Sequence, residues 1–286
     1  MEGDIKMDNS DLGTRMKEFY EKPYQTKLTR RTPAAIRIDG KAFHTFTRGF
    51  QKPFDPILMK AMQRTMKYLC ENIQGCVFGY TQSDEITLIL IDYQKLDSSA
   101  WFDYEVQKMC SISASMATMV FNKCFSEMVM QLEGDVAQEY ETDGDTEWVT
   151  EMEKYLKVYR RSCEKGAMFD SRCFNIPKEE VCNLVYWRQL DATRNSIQMV
   201  GQANFSHKEL QGKSCNMIQD MLLTQKDINW NNYPVACKRG SACIKVHGLN
   251  MAELKERPHW CIDENMPILK DEHRRYVDDF ICVGEE

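Results

Sequence analysis

The chain has 286 residues, 43% of them hydrophobic, which is enough for one large domain or two small ones. No apolar run reaches the length of a membrane span, and the polar, acidic stretch MEGDIKMDNSDLG at the start holds no signal-peptide core, so a membrane partner is excluded. A net charge of −6 would argue against nucleic acid if it were evenly spread. However, Leu132–Glu153 holds nine Asp or Glu and no Lys or Arg, and the remainder is mildly basic, which leaves room for a phosphate-binding groove.

The twelve cysteines fall inside apolar patterns, as at Cys70, Cys110, Cys124, Cys182 and Cys215. There a free thiol acts as a small hydrophobe. No CxxC pair occurs, and Cys70/Cys76 and Cys237/Cys243 are each separated by five residues. Reduced thiols and a cytoplasmic location are therefore expected, rather than a zinc site or disulfides.

In chain order, Asp11–Glu21 reads as a short amphipathic helix with Leu12, Met16 and Phe19 on one side. The basic approach Arg30-Arg31-Thr32-Pro33 leads into a strand, AAIRIDG (Ala34–Gly40), ending in an acid and a glycine. Gly40 lets the backbone turn sharply. The residues after it, KAFHTFTRGF, can start a helix whose free N–H groups point at a phosphate, with charge from Lys41 and His44. For His44, a packed core histidine is an equal alternative. Lys52-Pro53-Phe54-Asp55-Pro56 opens a helix whose buried face is Leu58, Met62, Met66, Leu69 and Ile73.

Gly79–Leu90, GYTQSDEITLIL, reads as a hairpin, with β-branched and aromatic residues on both arms and Ser83-Asp84 as turn chemistry. Asp84 and Glu85 are adjacent acids, and neighbouring strand residues face opposite ways, so they are expected to do different jobs. If the AAIRIDG strand shares a sheet with this hairpin, Asp39 and Asp84 meet at one edge. Two aspartates so placed can hold a pair of Mg²⁺ ions, the arrangement used for nucleotidyl transfer.

Asp103–Gln131 reads as a long helix, on which Lys108 is expected to be a solvated surface lysine. Leu132–Lys165 is the compositional break, read as an inserted acidic surface loop with a helix of its own at Trp148–Arg161 and no catalytic part. Ala167–Ile176 is a fourth strand with Asp170 and Arg172 on one face. Pro177 opens a helix through Ile197. Its set of Trp187, Arg188, Gln189, Arg194 and Asn195 suits either base stacking and phosphate contact or, more simply, a helix–helix interface. Ser206–Glu209 is a capping box. A helix over Lys213–Gln225 turns Met217, Met221 and Leu222 inward, and Asn229–Pro234 is a turn. Lys238-Arg239-Gly240, a solvated turn or a phosphate clamp, enters a last strand at Ala242–Val246, and the rest reads as polar and irregular.

The segments RIDGKAF-H, K-P-F-D, Y-TQSDE, a WRQ-D-RN-S helix and KRG, in that order over roughly Leu12–Val246, resemble the tRNA-His guanylyltransferase family of 3′–5′ polymerases. The resemblance implies an α+β fold: a polymerase-palm-like βαββαβ antiparallel sheet with helices packed on one face, plus a C-terminal helical and strand extension, usually assembled as a homotetramer. Residues 1–131 would form the first half of the catalytic domain, 132–165 the acidic surface insertion, and 166–286 the remainder with a tRNA-binding region. Asp39 and Asp84, helped by the Gly40 carbonyl, would hold two Mg²⁺ ions, and Glu85 would support this catalytic group. Gly40, Lys41, Ala42 and Phe43 through their backbone, with His44, Lys52 and Ser83, would hold a nucleoside triphosphate. Lys108, Arg172, Arg188, Asn195, Lys213, Lys238 and Arg239 would face tRNA or the activating nucleotide.

Where eukaryotic members carry a HINNLYN motif, this chain has Thr193-Arg194-Asn195-Ser196-Ile197, with Thr193 at the histidine position. That departure resembles the bacterial and phage branch, associated with templated repair of tRNA 5′ ends rather than addition of one untemplated G. The implied substrates are ATP, GTP or another NTP, and tRNA. A nucleotidyl cyclase, which would need no RNA, and an inactive RNA-binding protein are the alternatives. Retention of Asp39, Asp84 and Glu85 together weighs against the second.

Overall fold

The computed structural model describes residues 11–142, 146–246, 249–250, 255–256 and 258–283; most of the polar opening stretch, and Gly144 of the acidic segment, lie outside them. The chain enters through α1 (Asp11–Met16), continued by one wider turn to Glu21. Leu12, Met16 and Phe19, expected on one side of an amphipathic helix, are exposed.

The central strand β1 (Ala34–Gly40) has Ala34, Ala35, Ile36 and Ile38 almost wholly buried. A single turn, α2 (Phe43–Phe46), precedes α3 (Pro56–Asn72), which is capped by Asp55 accepting from the Leu58 N–H at 2.9 Å. The spacing expected for α3 holds: Met62, Met66, Leu69 and the following Ile73 are buried. β2 (Cys76–Gln82) and β3 (Glu85–Leu90) form the expected hairpin. Then come α4 (Val106–Glu141), α5 (Thr146–Lys165), β4 (Phe169–Asn175), α6 (Lys178–Asn204), α7 (His207–Leu210) with the expected capping box, α8 (Cys215–Lys226) and α9 (Val235–Arg239). β5 (Ser241–Val246), β6 (Leu249–Asn250), β7 (Lys255–Glu256), β8 (His259–Asp263) and α10 (Arg275–Ile281) complete the described chain.

The main sheet runs β4-β1-β3-β2-β5-β8, and each neighbouring pair is antiparallel. Its first four strands follow the chain order β1-α3-β2-β3-α4-β4, the split β-α-β arrangement. Period-two alternation sorts β1. Ile36 and Ile38 join Ile86 and Leu88 under α3, α4 and α5, while Ala35 and Ile89 join a second core with Val181, Val185, Val277 and Ile281 from α6 and α10. Helices therefore cover both faces of the sheet, not one as expected, because Ala35, Phe78, Tyr80, Ile89 and Ala242, from four of the strands, supply a second apolar face.

Three further expectations are corrected. The acidic segment is not an inserted loop: α4 runs on to Glu141, α5 turns back along it, and Val136, Val149, Leu156 and Tyr159 enter the larger core. The tail beyond Val246 is not irregular, since β8 extends the sheet and α10 closes the second core. On α8 the buried pair is Ile218 and Leu222, while Met217 faces solvent.

Replacement of Leu156 by Ala should cost about 2–5 kcal/mol in urea unfolding, as a core truncation does. A cost below about 0.5 kcal/mol, typical of surface positions, would place α5 outside the core.

Candidate active site

Asp39 is the penultimate residue of β1, directly opposite Glu85 on β3 and Asp170 on β4. The Gly40 N–H donates to the Asp84 carbonyl at 3.1 Å, joining the strand end to the hairpin turn. The two aspartates singled out in the sequence are thus brought to one edge of the sheet. Burial, then Glu85 and Asp170, raise the Asp39 pKa against the pull of Arg172 and Arg37. Burial holds Asp84 up to about 6, and the Asp39 and Glu85 charges add to this, although Ser83 Oγ donates to Asp84 Oδ1 at 2.9 Å.

Glu85, next in sequence, has a different environment. Arg188 grips it with two bonds, Nε to Oε2 at 2.9 Å and Nη2 to Oε1 at 3.0 Å, and Arg37 reaches Oε2 at 3.3 Å. Arg188 also binds Asp191 at 2.7 Å, and its side chain is only 6% exposed. Glu85 is therefore a tie between the hairpin and α6. Arg188 is spent on that tie and presents no free face to RNA, contrary to expectation.

The donor set at the strand end is all oxygen: Asp39, Asp84 and the Gly40 carbonyl. No basic group is among the causes that shift Asp84. Among the described residues no cluster of three or more His, Cys, Asp or Glu could hold a metal by itself. Two carboxylates that need substrate phosphates and water to complete a shell fit Mg²⁺ better than a self-sufficient metal cage.

A cleft of about 510 Å³ opens beside the hairpin turn, and Gly40, Ala42, Phe43, His44, Lys52, Ser83 and Asp84 line it. That volume is in the range of small-molecule sites. His44 is exposed on its wall, not packed in the core. Phe43 turns its ring into a cluster with Phe46, Phe121 and Phe169, so backbone remains for the cleft. The first N–H groups of α2 have no partner within that helix. Lys41 is exposed, with its N–H bound to the Met168 carbonyl, and does not line the cleft.

Gly40 is needed for space more than for turning: a Cβ there would lie 2.2 Å from the Phe43 ring. The left-handed residue of the turn is Ala42, at φ 53°. The outer wall of the cleft, which sequence reasoning missed, is braced by α5. Tyr159 Oη donates to Asp55 at 2.7 Å, Ser162 Oγ to the Phe46 carbonyl at 2.8 Å, and Arg161 to the Arg48 carbonyl at 2.7 Å. The signal was present as Val149, Leu156 and Tyr159 at helical spacing within the acidic run.

The remaining expected residues are dispersed. Arg172, over half exposed, pairs with Asp170 at 3.1 Å. Asn195 lines a small cavity, shared with Ser83 and Gly240, that adjoins the cleft. Lys108 is exposed and paired with Glu105 at 3.0 Å, at the start of α4. Lys213 lies in a separate hollow of about 590 Å³ with Gln198 and His207. Lys238 is buried, donates to the Asn231 carbonyl at 2.5 Å and sits over Trp230, which makes it a packing lysine. The Arg239 carbonyl accepts from Tyr80 Oη at 2.6 Å, while its buried Nε has no hydrogen-bond partner.

An antiparallel sheet that brings two carboxylates of raised pKa together beside a nucleotide-sized cleft is an arrangement suited to a nucleotidyltransferase. Residues 13–177 match the family model described as tRNAHis guanylyltransferase. A bacterial tRNA(His) guanylyltransferase-like protein solved in complex with ATP is 39% identical, with a TM-score of 0.74, covering 96% of this chain and 100% of that one. One in complex with GTP is 37% identical at a TM-score of 0.70, with the same coverage. The tRNA(His) guanylyltransferase of Saccharomyces cerevisiae is 24% identical over 72% of this chain and 79% of its own. The chain belongs to the tRNA(His) guanylyltransferase family, a family of tRNA nucleotidyltransferases.

The surroundings of the two adjacent acids should respond to mutation with opposite sign. In metal-free buffer at pH 7, Asp84→Asn removes a disfavoured buried charge and should raise Tm, by about 2–4 °C per kcal/mol gained. Arg188→Ala leaves Glu85 to Arg37 and Gln82 and deprives Asp191 of its buried partner, and should destabilise by about 1–3 kcal/mol. Thermal and urea unfolding check both; a lower Tm for Asp84→Asn would contradict the charge balance described here.

Proposed function

We propose that the enzyme extends the 5′ end of tRNA in the 3′–5′ direction, one nucleotide at a time, using ATP for activation and a nucleoside triphosphate for addition. The observation that carries this is the joining of the Asp39–Gly40 strand end to the turn of Asp84, with Gly40 and Asp84 lining the cleft, in a chain whose family adds nucleotides to tRNA. The 5′-monophosphate of the RNA attacks the α-phosphorus of ATP, and pyrophosphate leaves. The 3′-hydroxyl of the incoming nucleotide then attacks the activated 5′-phosphorus, and AMP leaves. An end that already bears a triphosphate loses pyrophosphate instead.

In this reading Asp39, Asp84 and the Gly40 carbonyl hold two Mg²⁺ ions on the palm-like sheet. Bound there, the ions would lower the pKa of the attacking hydroxyl and neutralise charge on the leaving group. His44, Lys52, Ser83 and the backbone after Gly40 orient the triphosphate within the cleft, and α5 keeps the cleft wall in place. Arg172, which is exposed, Arg239, whose Nε has no partner, and Asn195, which lines the adjoining cavity, suit phosphate or base contact. Thr193 in place of the eukaryotic histidine, with the higher identity to the bacterial proteins, favours templated repair over obligatory G addition. The assembly suggested by the family is a homotetramer.

With a 5′-³²P-monophosphate tRNA lacking its first nucleotide, ATP, Mg²⁺ and each NTP in turn, only the nucleotide complementary to the opposing base should be added. Addition of G whatever the opposing base would assign the enzyme to tRNA-His maturation. A labelled product formed without RNA would move it to cyclisation. Asp84→Ala should bind the tRNA and make no product; surviving turnover would remove Asp84 from the metal site.

A further inference from the structure

The solvent-facing ridge of α6 runs through Asn183, Trp187, Leu190, Arg194 and Gln198 at helical spacing. Trp187 is the unexpected member. Its indole is 52% exposed, although burying an indole is among the largest apolar gains available to a fold. Neither the core nor the Asp39–Asp84 site uses it.

Two arginines hold the indole. The Arg188 guanidinium carbon lies 4.5 Å from the ring centroid and that of Arg37 lies 5.3 Å from it. Both arginines bind the same Glu85 oxygen, at 2.9 and 3.3 Å, so they stand together, and neither is free to leave the ring. Trp187 is therefore a rigid aromatic surface with half its area in water.

Its position relates it to the site. Arg37 precedes Asp39 by two residues on the same face of β1, and it lies directly opposite Arg172 on β4. The indole thus stands over the part of the sheet from which Asp39, Asp170 and Arg172 project. Arg172 and Arg194 are each over half exposed and each bind one carboxylate, Asp170 and Asp191 respectively. Since a guanidinium carries five donors, both retain donors for a phosphate. An exposed, pre-oriented indole on the side of the sheet that carries such arginines is the chemistry that takes an unstacked base with its flanking phosphates.

We propose that Trp187 is a stacking platform for an unpaired base of the RNA substrate, with Arg172 and Arg194 as its phosphate contacts. This rests on the reading of the enzyme as a tRNA nucleotidyltransferase. The sequence alone made a helix–helix interface the simpler role for this residue; the exposure of the indole removes that role within the chain.

The test uses the full-length protein, Trp187→Ala and Trp187→Phe, a 5′-monophosphorylated tRNA transcript lacking its first nucleotide, and a short single-stranded RNA. Trp187→Ala should weaken binding of both RNAs roughly 5- to 150-fold, the range for one stacked base. Trp187→Phe should retain most of the affinity. KM for tRNA should rise in Trp187→Ala, with KM for ATP and kcat at saturating tRNA unchanged. RNA should quench intrinsic fluorescence in the parent, and the quench should be lost in Trp187→Phe.

Unchanged RNA affinity and an unchanged quench would overturn the proposal. A change in assembly mass on Trp187→Ala with RNA binding intact would overturn it too, and would make the indole a contact between copies of the chain. If the parent binds RNA through a Trp187-dependent quench yet adds no nucleotide, the platform stands and the assigned reaction falls. If the parent adds nucleotides and both variants match it, the platform falls alone.

Discussion

Asp39 and Asp84 repel one another, and the backbone keeps them side by side. β1 pairs with β3 at six successive positions, from Ala34 with Leu90 to Asp39 with Glu85, and the Gly40 N–H carries the contact on to the Asp84 carbonyl. Separating the carboxylates would mean opening that ladder, and behind it lie Ile36, Ile38, Ile86 and Leu88, all with 1% of their surface exposed or less. Apolar burial on one face thus holds an electrostatically unfavourable arrangement at the strand ends. Local cost at a functional position, offset elsewhere in the fold, is the usual form of such a compromise.

The same geometry separates two neighbouring acids into unlike roles. Asp84 sits in the turn and faces the cleft, while Glu85 is the first residue of β3 and faces α6. Arg188 and Arg37 converge on Glu85, and Asp191 gathers Arg188 with Arg194, so α6 is fixed to the hairpin through a buried network rather than by apolar contact alone. Gly240 closes the other side: a Cβ there would lie 2.5 Å from the Thr81 carbonyl oxygen. The turn carrying Asp84 is therefore held from two sides.

The strands and the meeting of Asp39 with Asp84 were legible because dense β-branched runs, a turn dipeptide and terminal acids all point to one arrangement. Among the cleft residues, Gly40 and His44 followed from the segment after the strand, whereas Lys52 and Ser83 were implied by the family resemblance. What could not be read was burial of charge. The family resemblance made Arg188 and Lys238 contacts for a polyanion, and both are buried, Arg188 by Glu85 far along the chain and Lys238 against Trp230 and Asn231. Gly40 looked like a turn glycine, whereas its neighbour Phe43 is what excludes a side chain. The acidic run that leads into α5 hid an apolar stripe, and in the tail Trp260, Val277 and Ile281 are spaced too widely among charges to announce a strand and a helix.

Helices α4 and α5 also show how composition can mislead. Their buried side braces the cleft wall through Tyr159 and Ser162. The solvent side of α5 carries Glu147, Glu151 and Glu153 near its start, and Lys154, Lys157, Arg160 and Lys165 follow them. The acids are offset within one helix, so this layer does not present a single sign of charge. Across the sheet, Arg172 and Arg194 are exposed and Asp39 projects from the strand end. A segment whose composition suggested a detached insertion thus braces the cleft.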